Sequence, residues 1–314
     1  MTPIIFRVGL PDFSAGAFYK ALCRAQAKEY LSRINRCVPP IMVSARAFWR
    51  RGTGFRKVSL FHAVDVALDS AGFTAMKLGG YPWSLDEYLD WVFSSTLTDA
   101  RGWFPWAWWA AMDYCVEPQI AKDRPEVLRK LALTASTLDD TLQRLDWWRW
   151  EGDNEIPDPL ATIQGWLPDD YRRSIGLLTE VFAARDRDWP DLVGVGSVCR
   201  RNVAGPAGVV AVVEAIDRAL PAGVGLHLFG VKTEALQVLK DHPRVVGADS
   251  MAWSVAARRK LWRQARGAIS DAVKRGATDE EAHLVGRHTL WRSRAKDAEV
   301  LTEWATEQLQ GLVR

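Results

Sequence analysis

Short apolar runs that end in a polar residue alternate along the chain with longer segments in which apolar residues recur every three or four positions. The short runs have the length and composition of buried strands, and the longer segments have the period of a helix. The predicted strands cover residues 4–8, 41–45, 64–69, 110–113, 160–164, 192–197, 225–230 and 245–249. The predicted helices cover residues 18–34, 85–93, 125–145, 170–185, 206–220 and 233–239.

This alternation of strands and helices predicts a parallel sheet that is covered by helices. Eight strands are the number that a (β/α)8 TIM barrel requires, and such a barrel takes about 250 residues. We therefore predict an α/β protein in which the 314-residue chain forms a barrel over residues 1–257. Residues 258–314 are expected to form a basic helical extension packed on the barrel, with Thr278 as the cap of its second helix.

Four of the predicted strands end in a carboxylate or an amide, namely Asp69, Asp113, Gln164 and Asp249. An unpaired carboxylate is costly to bury, so its repetition at the ends of apolar runs indicates a functional role. Because the carboxyl ends of the barrel strands meet on one face, these side chains are expected to converge there. Asp249, which closes the last strand, is the most informative of the four.

Net charge, cysteine spacing and the lengths of the apolar runs indicate the class of protein and its cellular compartment. The net charge is only +3, and the four cysteines are scattered without a C-x-x-C pair. The cysteine spacing argues against a disulfide framework and against a thiolate zinc site. No signal peptide and no apolar run of about 20 residues are found, so we expect a cytoplasmic protein without a membrane partner.

Positive side chains are concentrated in two clusters, one in the loop after the second strand and one on a single face of the helix that follows Asp249. Either cluster alone is typical of a solvated surface, but both lie next to polar strand ends, where they would attract a polyanion. The candidate nucleic-acid-binding residues are Arg50, Arg51, Arg56, Lys57, Arg258, Arg259 and Arg263.

The histidines are less informative. His62 and His227 are isolated beside apolar strands, which is typical of hydrogen-bonded core residues, so neither is assigned to catalysis. His283 and His288 are five positions apart on a predicted helix, a poor spacing for metal binding, and surface positions are expected. No metal site is predicted.

At the polar strand ends the sequence resembles the tRNA-guanine transglycosylases. Asp69-Ser70-Ala71-Gly72-Phe73 is similar to their Asp-Ser-Gly-Gly-Phe segment, and Met112-Asp113-Tyr114-Cys115 to their Phe-Asp-Glu-Cys segment. Further matches follow in the family order. They are Ile163-Gln164-Gly165 with Val-Gln-Gly, Gly194-Val195-Gly196-Ser197-Val198 with the Gly-Gly-Leu turn, Leu228-Phe229-Gly230-Val231 with Leu-Met-Gly-Val, and Gly247-Ala248-Asp249-Ser250 with the strand that carries the aspartate nucleophile.

The sequence also departs from the tRNA enzymes. They carry a zinc element with three cysteines after the nucleophile strand, whereas this chain has no cysteine beyond Cys199. The segments Trp106-Ala107-Trp108-Trp109 and Ser250-Met251-Ala252-Trp253 look instead like the DNA-acting relatives known as DpdA, which insert 7-deazaguanine bases into DNA. The resemblance is closer to these relatives.

This resemblance implies a DNA-guanine transglycosylase with DNA and a 7-deazaguanine base as partners, 7-cyano-7-deazaguanine being the first candidate. Helper proteins that open the duplex are a further expected partner, and no cofactor is expected. Base exchange with retention needs a carboxylate that captures the anomeric carbon and a second group that moves a proton at the base. Asp249 fits the first role and Asp69 the second, and mutual repulsion is expected to raise one of their pKa values.

The resemblance also implies a pocket for guanine. Asp113 can accept from the ring imide and the exocyclic amine, and the Gln164 amide can donate to the ring carbonyl. Backbone groups of the turn after the sixth strand would hold the far side of the base. The substrate-binding candidates are Asp113, Gln164, Gly196, Ser197, Val198, Phe73 and Gly230.

Two alternatives stay open from the sequence. One is a tRNA-guanine transglycosylase that lacks the zinc element, and the other is a catalytically idle nucleic-acid-binding subunit that retains the barrel. The presence of both Asp69 and Asp249 argues against an idle site.

Overall fold

The computed structural model describes residues 4–10, 40–58, 65–94, 106–152 and 156–292. These residues contain ten strands: β1 (Ile5–Leu10), β2 (Ile41–Ser44), β3 (Trp49–Arg50), β4 (Gly54–Phe55), β5 (Val66–Asp69), β6 (Trp108–Trp109), β7 (Thr162–Ile163), β8 (Leu192–Val195), β9 (Gly225–Leu228) and β10 (Val245–Ser250). Eight of them form one parallel sheet in the order β6-β5-β2-β1-β10-β9-β8-β7. The other two, β3 and β4, form an antiparallel hairpin.

The two edges of the large sheet meet and close it into a barrel. Ala110, directly after β6, forms a parallel bridge with Leu160, which lies just before β7. The Leu160 amide donates to the Trp109 carbonyl at 2.7 Å, and the Ala111 amide donates to the Leu160 carbonyl at 3.1 Å. The predicted (β/α)8 TIM-barrel fold is therefore confirmed.

Eight α-helices lie in the described residues. They are α1 (Gly72–Lys77), α2 (Leu85–Ser94), α3 (Arg124–Gly152), α4 (Pro168–Ala184), α5 (Val209–Asp217), α6 (Thr233–Leu239), α7 (Ala252–Lys274) and α8 (Asp279–Arg292). The sequence pattern predicts α2 to α6 with the correct period and missed the short α1. The predicted helix over residues 18–34 lies outside the described residues. None of the described helices is both long and apolar enough to cross a membrane.

Seven of the eight predicted strands agree with the observed strands to within two residues at each end. The fourth prediction, residues 110–113, was wrong, because the strand lies at Trp108–Trp109 and only Ala110 adds a bridge. Beyond Ala110 the backbone leaves the sheet to bond with side chains. The Asp113 amide donates to the Tyr81 hydroxyl at 3.1 Å, and the Tyr114 amide donates to Thr134 Oγ1 at 3.0 Å.

The strand register determines which side chains share the barrel interior. Paired residues of neighbouring parallel strands lie on the same face of the sheet. Thr162, Gly194, His227 and Gly247 therefore form one level of the barrel. Asp249 of β10 is paired with Arg7 of β1, one level nearer the carboxyl ends of the strands. Asp69 of β5 is paired with Ser44 of β2.

The chain divides into two compact units. Of the described residues, 4–9 and 40–250 belong to the first unit, which is the barrel, and 10 and 251–292 belong to the second. In the second unit, α7 and α8 pack closely because Gly286 has no side chain: a Cβ there would lie 2.6 Å from Ile269 Cδ1. Thr278 caps α8, since its Oγ1 accepts from the Glu281 amide at 3.4 Å, and Glu281 Oε2 in turn accepts from the Thr278 amide at 2.9 Å. The boundary at residue 258 and the packing of the extension on the barrel stay predictions.

Candidate active site

The four polar residues that the sequence predicts at strand ends come together at the carboxyl end of the barrel, although Asp113 lies beyond its strand. Asp69 is the last residue of β5, Asp249 lies in β10, and Gln164 follows β7 directly. Gln164 and Asp113 are joined by a hydrogen bond, and the charges of Asp113 and Asp249 both act on Asp69. The side chains that the sequence placed on one face are therefore neighbours in one site.

Asp69 is set up to hold a proton near neutral pH. Burial raises its pKa to about 7, and the negative charges of Asp113 and then of Asp249 add to the shift. The Ser44 side chain and the Ala71 amide, which donates to Asp69 Oδ2 at 3.1 Å, partly offset this rise. The expected repulsion between Asp69 and Asp249 is present, but burial is the largest cause and Asp113 is the stronger charged neighbour.

Asp113 is held by hydrogen bonds from within the protein. Its carboxylate is buried, with Ser70 Oγ donating to Oδ1 at 2.5 Å and Gln164 Nε2 donating to Oδ2. The Tyr81 hydroxyl donates to the Asp113 carbonyl at 2.8 Å. Gly72 makes room for this arrangement, because a Cβ at that position would lie 2.5 Å from Asp113 Oδ1. Burial raises the pKa of Asp113, and the bonds from Ser70 and Gln164 counteract the rise.

Gln164 connects Asp113 to the turn after β8. Its Oε1 accepts from Ser197 Oγ at 2.6 Å, and its Nε2 donates to Asp113, so both ends of the amide are oriented. A second N–H of the amide remains for another acceptor. Gly196 is required for this placement, since a Cβ there would lie 2.3 Å from Gln164 Nε2.

The turn after β8 presents backbone amides beside this network. Ser197 has a φ of 55°, which is the left-handed region, and its hydroxyl accepts from the Val116 amide at 2.9 Å. The buried Arg201 guanidinium donates to the Ser197 carbonyl at 2.9 Å and fixes the turn. The amides of Ser197 and Val198 donate to no acceptor within the described part of the chain.

Asp249 has a different surrounding. It is 2% exposed, and its Oδ1 accepts from the Gly230 amide at 2.9 Å. His227 Nε2 lies 3.3 Å from the same oxygen. Burial is the main cause that lowers the pKa of His227. His227 is buried and hydrogen-bonded, as expected from the sequence, but its partner is the carboxylate of Asp249.

Phe73 lies at the edge of the same end of the barrel, on α1 directly after the Asp69 strand. The Arg200 guanidinium stacks on its ring at 5.0 Å from the centroid. Arg200 belongs to the turn after β8 and was not singled out from the sequence.

The first basic cluster lies on the β3–β4 hairpin and the residues that follow it. Arg50 and Arg51 are exposed at its tip, and Lys57 is exposed at its base. Arg56 is partly committed to the fold, because its Nη2 donates to the Ala47 carbonyl at 2.6 Å. Phe55 stacks on Trp91 with ring centroids 4.5 Å apart, so the hairpin is anchored to the barrel.

The second basic cluster lies in the second unit. The Arg263 side chain is exposed on α7. The side chains of Arg258 and Arg259 lie outside the described residues, as does His62. His283 is exposed, as expected.

No group of three or more His, Cys, Asp or Glu side chains that could hold a metal ion is found within residues that the structure describes. A comparison with curated proteins finds no match. The family model of DpdA, DeoxyPurine in DNA protein A, matches residues 28–311, which is most of the chain. Together with the carboxylates at the end of the barrel, this match shows that the chain belongs to the DpdA family of DNA-guanine transglycosylases that act in 7-deazaguanine modification.

Proposed function

We propose that this protein is a pentosyltransferase that exchanges guanine in DNA for 7-cyano-7-deazaguanine through a covalent aspartyl-glycosyl intermediate. Asp249 is the nucleophile and Asp69 is the acid and base. The observation that carries the proposal is that Asp69 and Asp249 both lie at the carboxyl end of one barrel, where burial and the charges of Asp113 and Asp249 raise the pKa of Asp69 to about 7. A carboxyl group with that pKa can exist in both protonation states at neutral pH, as an exchange in two half-reactions requires.

The first half-reaction removes guanine. An Asp249 oxygen bonds to C1′ of the deoxyribose as the bond from C1′ to N9 breaks, and the electron pair of that bond goes to the departing base. Protonated Asp69 gives its proton to the base. In the second half-reaction, ionised Asp69 takes a proton from the incoming base, whose nitrogen attacks C1′ and releases the Asp249 carboxylate.

Recognition of the base falls to the opposite part of the site. The Asp113 carboxylate can accept further hydrogen bonds beyond those from Ser70 and Gln164, because two carboxylate oxygens offer about four acceptor positions. The remaining Gln164 N–H and the amides of Ser197 and Val198 supply donors for a ring carbonyl. Gly196 and Gly230 keep the backbone close to the base, and Phe73 packs at the pocket edge.

The DNA must present its target base outside the duplex, since the glycosidic bond of a stacked base cannot reach side chains inside a barrel. The exposed Arg50, Arg51 and Lys57 suit the phosphates that flank an extruded nucleotide. Arg56, Arg258, Arg259 and Arg263 are proposed as further residues that bind the nucleic acid. Helper proteins that open the duplex would lower the cost of extrusion, and the reaction would take place in the cytoplasm.

The decisive experiment offers the purified protein radiolabelled 7-cyano-7-deazaguanine together with DNA or tRNA at equal salt. We expect label to enter DNA and a denaturant-resistant adduct between protein and DNA to form. Label in tRNA alone would favour the tRNA alternative. DNA binding without label in either polymer would support an idle nucleic-acid-binding subunit.

A further inference from the structure

We propose that His227 is a positioning residue, which holds Oδ1 of Asp249 so that Oδ2 faces the sugar. The inference rests on the proposed function, because it gives a task to the nucleophile of that reaction. His227 is buried, and the sequence pattern alone is typical of a core residue there.

The hydrogen-bond geometry defines which oxygen is held. Gly230 N lies 2.9 Å and His227 Nε2 lies 3.3 Å from the same Oδ1. An ionised carboxylate can only accept, so the proton between the two side chains belongs to Nε2 of the imidazole. Burial lowers the pKa of His227 and favours the neutral ring, which then carries its single proton on Nε2.

The Nδ1 side of the imidazole is closely packed. A Cβ at position 247 would lie 2.7 Å from His227 Nδ1, so the ring packs directly on the backbone of β10. The rings of Trp108 and Phe229 contact it edge to face, with centroids 4.9 and 5.1 Å away. Because these contacts fix the ring, its hydrogen bond holds the Asp249 carboxylate in one orientation.

The guanidinium of the residue paired with Asp249 does not compete for its carboxylate. Arg7 is the strand partner of Asp249, yet its guanidinium bonds to Asp65, with Nη1 2.6 Å from Oδ1, and stacks on Trp108. Within the described residues, Asp249 Oδ2 accepts no hydrogen bond from the protein. Oδ1 is therefore the anchored oxygen, and Oδ2 is the oxygen that forms the bond to C1′.

Two substitutions separate the hydrogen bond from the shape of the ring. His227→Phe keeps a ring but removes the donor, whereas His227→Gln offers an amide N–H near the position of Nε2. His242→Gln is the matched control, because His242 also lies near an aspartate, with Nε2 4.0 Å from Asp217 Oδ2, but precedes β10, whereas Asp249 lies near the carboxyl end of that strand.

We expect His227→Phe to slow formation of the covalent adduct by about 10- to 100-fold at saturating DNA, since a hydrogen bond to a charged group is lost. The Gln variant should recover most of the rate, the control should match the parent, and the affinity for the free base should stay within about twofold in all three. Equal rates in the Phe variant and the parent would overturn the proposal, as would equal losses in the Phe and Gln variants while their thermal stability matches the parent.

A second measurement does not depend on activity. Nitrogen NMR of the parent protein should show His227 neutral with its proton on Nε2, and Asp249→Asn should move the Nε2 resonance while leaving that of His242 in place. A proton on Nδ1, or a resonance insensitive to Asp249→Asn, would refute the pairing. If the parent exchanges no base while the NMR result is as expected, then the proposed function fails and the pairing stands.

Discussion

Asp113 and Asp249 are both buried carboxylates at one end of the barrel, yet their surroundings differ. Asp113 receives hydrogen bonds on both oxygens, from Ser70 and Gln164, and its backbone is held by Tyr81. Asp249 is held through Oδ1 alone, by Gly230 and His227. A carboxylate that recognises a base benefits from a fixed orientation, whereas a nucleophile needs one oxygen that no protein group occupies.

The difference extends to the strands around each residue. The proposed recognition side, between β5 and β8, is a connected network in which Gln164 joins Asp113 to Ser197. The proposed nucleophile side, at β9 and β10, is lined by aromatic rings around His227. Substitutions on the nucleophile side should therefore change mainly the rate of bond exchange, and substitutions on the recognition side mainly the affinity for the base.

The largest effect is expected on the nucleophile side. Asp249→Asn keeps an oxygen for the Gly230 amide but removes the charge that captures C1′, so exchange and adduct should fall by at least about a thousandfold. Radiolabel transfer and a denaturing gel measure both. The fold should persist, which circular dichroism can check, and any variant that still exchanges base at the parent rate would exclude Asp249 as the nucleophile.

Asp69 lies between the two sides, and its pKa of about 7 gives the next largest effect. Guanine release needs the protonated form, so the adduct-forming rate at saturating DNA should fall as the pH rises through about 7. Asp69→Asn should cost about 100- to 1000-fold at pH 6 and remove this decline. A parent rate that is flat between pH 6 and 9 would contradict the acid role.

The raised pKa of Asp69, which serves the proposed catalysis, should lower the stability of the folded protein at neutral pH. Its folded pKa lies above the ordinary value of 3.8, so the folded protein is penalised as the pH rises from about 4 to 7, and the penalty stays constant above that range. Asp69→Asn should therefore raise the melting temperature relative to the parent at pH 8 and have little effect at pH 4.

On the recognition side, Gly196→Ala should disturb the network sterically. The new Cβ would lie 2.3 Å from Gln164 Nε2, so base binding should weaken by about 10- to 100-fold and the free energy of unfolding should fall by about 1–3 kcal/mol. Gly176→Ala on α4 is the control, because no atom lies within 4 Å of its added Cβ. Calorimetry would measure the affinity of both variants for the free base. Equal affinities in the two variants would argue against a role for the contact between Gly196 and Gln164.

Gln164→Ala should give a smaller effect of the same kind. Loss of one neutral hydrogen bond to the base, roughly 0.5–1.5 kcal/mol, should raise the concentration of base needed for half-maximal exchange by about 2- to 10-fold. The saturated rate should change less, because the contact is shared by ground and transition states. A defect confined to the saturated rate would instead assign Gln164 to the chemical step.

The smallest effect concerns the hairpin, which belongs to neither side of the pocket. Replacing Arg50 and Arg51 with glutamine should lower the slope of log affinity against log salt by about 0.9 per lost duplex contact and leave base binding unchanged. Arg218 and Lys240 follow the carboxyl ends of α5 and α6 and are exposed, so their double replacement is the control. Equal slopes for both double variants would exclude the hairpin from the DNA contact.

The sequence by itself determined the barrel and its functional end. Strand period, strand number and the polar residue at each strand end are local features, and the parallel topology carries them to one face regardless of the detailed packing. Asp69, Gln164 and Asp249 could be singled out for this reason. The resemblance to guanine transglycosylases then supplied their expected roles.

Only the tertiary structure decided how these residues are connected. The fourth strand lies two residues earlier than predicted, because the Asp113 and Tyr114 amides bond to side chains 32 and 20 residues away in the chain. The pairing of His227 with Asp249 joins β9 to β10 across 22 residues, and the pKa of Asp69 depends on burial and on the charges of Asp113 and Asp249. These hydrogen bonds and charge interactions depend on distances between residues that are far apart in the sequence, and no local sequence pattern encodes those distances.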